Sequence, residues 1–231
     1  TSINDFFEKT NEEIETMSSE EKSLYYIKLS NYETWKSLRT RKNIIIILQL
    51  TDISTSIKFC VGTYHTPCNF QNQKFMQLAN LFAAQSIQIF ADGLPYIFAA
   101  DLNTQPNTPS YNILVGNEIK PNEKPEKETD TDNWVPIMTP PLLSAYFIKN
   151  KKEPRATNDG YQISQNADGT CRDSGRFIGT LDYIFLSDDR FKVIGVKNLD
   201  NIFTKKNGPY PSKEEPSDHV LISANLLLES S

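Results

Sequence analysis

Four short strings in this chain carry the side-chain types that handle cations and phosphate. In order they are Thr63-Tyr64-His65, then Ala100-Asp101-Leu102-Asn103 with Pro106, then Gly179-Thr180-Leu181-Asp182-Tyr183-Ile184-Phe185, then Pro216-Ser217-Asp218-His219. The chain has two histidines, and both fall inside these strings. A carboxylate beside an amide, as in Asp101 and Asn103, suits a hard cation or a phosphate oxygen. A turn is the commoner explanation for such a pair taken alone. Two residues apart in extended chain, their side chains are expected to share one face. Asp182 sits in an otherwise apolar run, where a charge is expensive to bury without a partner. It is either a satisfied structural aspartate or a carboxylate that orients a histidine. His65 closes an apolar run that Pro67 then breaks, and a histidine placed there can donate to a phosphate oxygen. Asp218 and His219 open the last apolar run. Neighbours on a strand point to opposite faces, so these two need not share one task.

Each string is carried by an apolar run that reads as a strand, so their polar residues could converge at one end of a sheet. Ile44 to Leu50 is rich in β-branched residues and predicts a strand. Ile57 to Thr63 predicts a second, paired with the first as a hairpin across a polar connection. Gln73 to Ala91 carries Phe75, Leu78, Phe82 and Ile89 at helical spacing. Tyr96 to Ala100 is wholly apolar, as in a buried central strand. Leu181 to Leu186, Phe191 to Val196 and Val220 to Leu228 complete the predicted strands. Residues 117 to 133 are polar, with Pro121 and Pro125, and read as an exposed loop. Residues 5 to 38 are rich in Glu, Lys and Ser and read as helical. Within them Ser18 and Glu21 have the spacing of a capping box. Strands with a few helices between them suggest a layered α/β or α+β domain. The division expected is a helical segment over residues 1–38 and one domain over residues 39–231.

The 231 residues are enough for a sizeable core. No run of about 18 apolar residues is present, so no membrane-spanning helix is expected. The three cysteines, Cys60, Cys68 and Cys171, form no metal-type pair, and their odd number argues against a disulfide framework. Free thiols fit a reducing compartment. The cytoplasm is the expected location, with nucleus or organelle also open. A net charge of −5 argues against broad electrostatic binding of nucleic acid. It does not argue against a catalytic site that needs acids to hold a cation.

Assembled in this order and at these separations, the strings resemble the motifs of the endonuclease/exonuclease/phosphatase superfamily, the DNase I-like proteins. Ala-Asp-Leu-Asn-x-x-Pro at 100 to 106 is similar to its metal and phosphate motif. Leu-Asp-Tyr-Ile-Phe at 181 to 185 and Ser-Asp-His at 217 to 219 are similar to its two later motifs. Within the superfamily the likeness is to the deadenylase branch, with nocturnin, Angel and the 2′-phosphodiesterases. Ser144-Ala145-Tyr146, Glu153-Pro154 and Thr157-Asn158 resemble the run before the Leu-Asp-Tyr motif there. Phe177, five residues before Asp182, looks like an aromatic that stacks on the substrate base in that branch; core packing is the alternative. The likeness covers roughly residues 40 to 230.

The resemblance implies an α/β fold, a four-layer α/β sandwich with two sheets face to face and helices outside. It implies Mg²⁺, with Mn²⁺ as the alternative ion. By that analogy Asp101 positions or activates water and Asn103 contacts phosphate. His65 stabilises charge on the phosphate. Asp182 orients His219, which contacts the phosphate, while Asp218 joins Asp101 at the metal. Asn158 and Phe177 bind substrate. The implied function is a metal-dependent phosphodiesterase acting on RNA or a nucleotide, as a 3′→5′ exoribonuclease releasing nucleoside monophosphates. A nucleotide phosphatase or 2′-phosphodiesterase, and a silent RNA-binding or scaffold module, stay open as alternatives. One departure stands. The family normally begins with a strand bearing Asn and then a Gln-Glu motif whose Glu is a principal metal ligand. Neither is found here, which suggests a domain incomplete at its N-terminus.

Overall fold

The computed structural model describes residues 11–124, 137–165, 170–199, 209–213 and 216–229. Among the described residues two helices come first, α1 (Asn11–Glu15) and α2 (Ser19–Arg39). The capping box starts α2. Glu21 N donates to Ser18 Oγ at 3.2 Å, and Ser18 N donates to the Glu21 carboxylate at 2.8 Å. These bonds satisfy backbone groups that a helix start leaves unpaired.

β1 (Ile46–Thr51) and β2 (Lys58–His65) form the expected antiparallel hairpin. α3 (Gln73–Ala91) follows, capped by Asn72, whose side chain accepts from Phe75 N. Its apolar face buries Phe75 and Leu78, and Phe82 meets the Trp35 ring of α2 edge-on at 5.2 Å. Ile89, expected in the same stripe, is exposed. Ile87 and Ala91 face inward instead, so the buried stripe passes Ile89 by. β3 (Tyr96–Asp101) then runs parallel to β2, with α3 as the crossover. A parallel pair needs such a long connection.

The remaining elements are α4 (Pro109–Val115), β4 (Leu143–Ser144), α5 (Ala145–Asn150), β5 (Asn158–Gln165), β6 (Cys171–Gly179), β7 (Asp182–Leu186), β8 (Phe191–Val196) and β9 (Ala224–Leu228). Five strands make one sheet in the order β1-β2-β3-β7-β4, while β5 pairs with β6 and β8 with β9. One face of the five-stranded sheet presents Cys60, Phe98, Ala100, Tyr183 and Phe185 to Leu81 and Ile87 of α3 and to Ile113 and Leu114 of α4. The other face presents Phe59, Ile97 and Ile184 to Phe191 and Val193 of β8 and Leu226 and Leu228 of β9. Phe59 and Phe191 meet edge-on at 6.4 Å. Two sheets therefore lie face to face, with helices on the far side of the larger one. On β1 this inter-sheet face, Ile46, Leu48 and Leu50, is exposed.

Three departures from the sequence reading matter for the site. The β5–β6 hairpin was not expected, because Asn158-Asp159-Gly160 and Ser174-Gly175-Arg176 carry no apolar alternation. The last strand begins at Ala224 rather than Val220. Val220 N instead donates to Thr157 O at 2.8 Å, which draws residues 218–220 onto β5. In the 117–133 segment, Pro121–Glu123 forms a single 3-10 turn, and residues 125–133 lie outside the described residues.

Candidate active site

The register of three adjacent strands builds the site. His65 on β2 is level with Asp101 on β3, and Asp101 is level with Asp182 on β7. Residues level across neighbouring strands project to the same face. The row lies at the C-terminal ends of β2 and β3, a usual place for ligands in sheets with parallel strands. His65 Nε2 is 3.3 Å from Asp101 Oδ2, and its side chain is largely exposed.

His219 completes the row from outside the sheet. It forms an isolated bridge with Asn158, and two backbone bonds flank it. Asp159 N donates to Asp218 O at 2.9 Å, and Val220 N donates to Thr157 O at 2.8 Å. His219 Nδ1 lies 2.8 Å from Asp182 Oδ2, and its Nε2 lies 3.8 Å from Asp101 Oδ2. Asp101 thus sits between two imidazoles. The structural and the histidine-orienting readings of Asp182 prove compatible, since its carboxylate is both satisfied and bound to His219.

Thr157 was not singled out as a site residue, yet it is the hub beneath Asp182. Its fully buried hydroxyl donates to Asp182 Oδ2 at 2.5 Å and accepts from Leu181 N and Asp182 N, each at 3.0 Å. The only signal for it was its place in the Thr157-Asn158 run. Tyr183 ties two motifs together, its buried hydroxyl donating to Thr104 O at 2.7 Å.

Asp101 and Asn103 converge, but not through strand alternation. β3 ends at Asp101, and Asn103 adopts a left-handed φ of 47°. Asn tolerates that region better than most residues. In this turn Asn103 N donates to Asp101 Oδ1 at 3.0 Å, and Nδ2 donates to Thr66 O at 2.8 Å. Asp218 and His219 take different partners, Asn158 for one and Asp182 for the other. Asn158 Nδ2 donates to Asp218 Oδ2 at 3.1 Å. Gly160 makes room for this approach, since a Cβ there would lie 3.0 Å from Asp218 Cβ.

Burial and two neighbouring acids set the electrostatics. Burial raises the Asp101 carboxyl above its ordinary range, and the Asp182 charge adds to this. The Asn103 N–H and the two histidines oppose the shift. The hydrogen bond to Asp182 raises His219, with the charges of Asp182, Asp101 and Asp218 assisting against desolvation. The cationic imidazolium is therefore favoured at His219, a form suited to meeting phosphate charge.

Ligand atoms of Asp101, Asp182 and His219 all lie within 4.8 Å of one another. Two carboxylates and an imidazole this close fit a divalent cation, which would offset the repulsion between the acids. Asp101 is the freer carboxylate, because Thr157 and His219 already engage Asp182 Oδ2. Asp218, expected beside Asp101 at the metal, is not in this group and faces Asn158. Among the described residues no glutamate joins the group.

A cleft of about 160 Å³ opens beside the row, lined in part by Asn103, Asn158, Phe177, Asp218 and His219. Sequence placed these five residues at a single site, and the cleft gathers them. Behind it the carboxylate of fully buried Asp159 takes two bonds from Arg176, from Nε and from one terminal guanidinium nitrogen, each at 2.6 Å. This pair locks β5 to β6 and was invisible without the hairpin.

The architecture can now be set beside known proteins. No family model matches the chain. The crystal structure of ANGEL2, a 2′,3′-cyclic phosphatase, in complex with adenosine-2′,3′-vanadate, superposes with a TM-score of 0.56 at 19% identity, covering 84% of this chain and 64% of that one. The human Nocturnin catalytic domain with bound sulfate gives 0.53 at 18%, covering 81% and 54%. The chain has the endonuclease/exonuclease/phosphatase fold. Carbon catabolite repressor protein 4 homolog 1 of Arabidopsis thaliana is a relative 29% identical over 184 residues. That match covers 71% of this chain and 29% of the relative's length. Within the endonuclease/exonuclease/phosphatase fold, the row of His65, Asp101 and Asp182 lies where two parallel strands end. No helix among the described residues is long and apolar enough to cross a membrane.

Proposed function

We propose that this protein is a metal-dependent phosphodiester hydrolase, working with Mg²⁺ or alternatively Mn²⁺ as a 3′→5′ exoribonuclease that releases nucleoside monophosphates. The observation that carries this reading is the level row His65–Asp101–Asp182, with His219 held on Asp182 at 2.8 Å. A cation bound at Asp101 would neutralise charge developing on phosphate and favour hydroxide formation from water.

The chain's own groups do the rest. Asp182 fixes the His219 ring through Nδ1 and leaves Nε2 facing Asp101 and the cleft. His219 meets a phosphate oxygen through Nε2, and exposed His65 meets another. Asp101 orients the attacking water. Asn103, fixed by its turn, borders the phosphate position. Asn158 and Phe177 hold the terminal nucleoside in the cleft, and Asp218 holds Asn158 in place.

A second reading is a phosphatase or 2′-phosphodiesterase acting on a small nucleotide. The cleft's about 160 Å³ favours it as much as the first, because one nucleoside would fill it. ANGEL2, one of the fold's solved examples, is named a 2′,3′-cyclic phosphatase. Product analysis on a 5′-labelled adenosine oligomer separates the two. Stepwise shortening with 5′-AMP release is expected. Inorganic phosphate from mononucleotides, or opening of a cyclic end without shortening, would overturn the exonuclease in favour of the second reading.

A further inference from the structure

A group of cations near α5 has no part in the catalytic row. Lys151 and Lys152 follow α5, Arg155 comes three residues later, and Lys197 follows β8. All four are exposed. A hydrogen bond ties the two segments together, the Tyr146 hydroxyl of α5 donating to Lys197 O at 3.1 Å. A cleft of about 390 Å³ opens there, lined in part by Lys152, Arg155 and Lys197. Among the described residues none of the four cations has a carboxylate partner. Glu153 lines the cleft too, but its carboxylate accepts from the Tyr111 hydroxyl at 2.7 Å. Such a gathering stands out in a chain whose net charge is −5. Uncompensated cations along an open cleft give a local positive field.

This surface is joined to the site in two ways. The loop carrying Arg155 is pinned to the chain around Asp182. Thr180 Oγ1 donates to Pro154 O at 2.6 Å, and Thr157, two residues past Arg155, holds Asp182 itself. Lys152 and Glu153 also line a second cleft, of about 350 Å³, together with Lys151. Pro106 and Asn107, which continue the turn of Asp101 and Asn103, line that cleft as well. The two clefts share residues and connect the phosphate-handling turn to the end of β8. We propose that Lys151, Lys152, Arg155 and Lys197 form a track for the phosphate backbone of the RNA strand, on the 5′ side of the bond being cut. This rests on the nuclease reading above and names a polymer as its substrate, since a mononucleotide has no phosphate to offer a second set of cations. Contacts to phosphate position a strand without reading its bases, so the track fixes the RNA and adds no sequence choice.

Fluorescence anisotropy of a 5′-labelled adenosine oligomer, titrated in EDTA to stop turnover, tests this across a salt series. On a single strand each phosphate contact adds about 0.7 to the slope of log affinity against log salt. The triple change Lys152→Gln, Arg155→Gln and Lys197→Gln should flatten that slope by about 2 and weaken binding at low salt. With Mg²⁺ it should raise KM for the oligomer and leave kcat unaltered. Lys152→Arg with Lys197→Arg should keep the slope of the unaltered chain, because it keeps the charge. A slope and affinity unmoved by the triple change would overturn the track. Equal weakening of 5′-AMP binding, read by calorimetry, would also overturn it and assign the cations to a free nucleotide. Metal-dependent cutting of the oligomer by the unaltered chain would then show that the nuclease reading stands without the track. A flattened slope with no cutting by the unaltered chain would keep the RNA contact and remove the nuclease reading.

Discussion

His219 reaches back across 37 residues to place its Nδ1 2.8 Å from Asp182 Oδ2. The two sit on different parts of the fold, one on β7 and one on a loop stitched to β5. The contact therefore exists only when both sheet and loop are in place. An orienting carboxylate fixes the tautomer and direction of the ring rather than reacting itself.

If Asp182 orients His219, Asp182→Asn should lower kcat about 10²- to 10⁴-fold. His219→Ala should lower it to a similar extent, and the double variant little further, because the two act as one unit. Steady-state kinetics on an adenosine oligomer would check this. Multiplying losses in the double variant would mean independent actions.

Thr157 should matter for both stability and turnover. Thr157→Val removes a fully buried hydroxyl with three partners and strands the N–H groups of Leu181 and Asp182. Unfolding free energy should fall about 1–3 kcal/mol, read from urea titrations. The kcat should fall as well, since Asp182 loses a fixed donor. Thr157→Ser should keep both properties close to those of the unaltered chain.

Gly179 is required by its neighbour two residues back. An added Cβ would meet the Phe177 ring, so Gly179→Ala must displace that ring. A displaced rotamer should raise KM about 2- to 10-fold. In a Phe177→Ala background the same change should have no effect on KM. A double-mutant cycle reads the coupling directly. Equal effects in both backgrounds would mean that Gly179 acts through the backbone instead.

The parts of this molecule legible in its sequence are those where local pattern and tertiary need agree. Tyr96 to Ala100 and Leu181 to Leu186 are apolar because they are central strands, and they carry Asp101 and Asp182 to one row. Ser18 and Glu21 announced a helix start through side chains alone. The β5–β6 hairpin was hidden because its exposed and polar positions, such as Tyr161 and Arg176, do not alternate with apolar ones. With it went Asp159, whose burial depends on Arg176 from the partner strand. Asn103 was rightly associated with Asp101 on the wrong geometry, since a left-handed turn was not visible in the residue types. The position of Asp218 depends on Gly160 and Asn158, two residues on an element that sequence did not predict.

The most direct test is hydrolysis of a labelled adenosine oligomer by this chain with Mg²⁺ and with EDTA, alongside Asp101→Ala. The expected result is 5′-AMP release that needs Mg²⁺ and falls to background in the variant. Release that persists in EDTA, or that Asp101→Ala leaves unaltered, would contradict a metal-dependent site built on the His65–Asp101–Asp182 row.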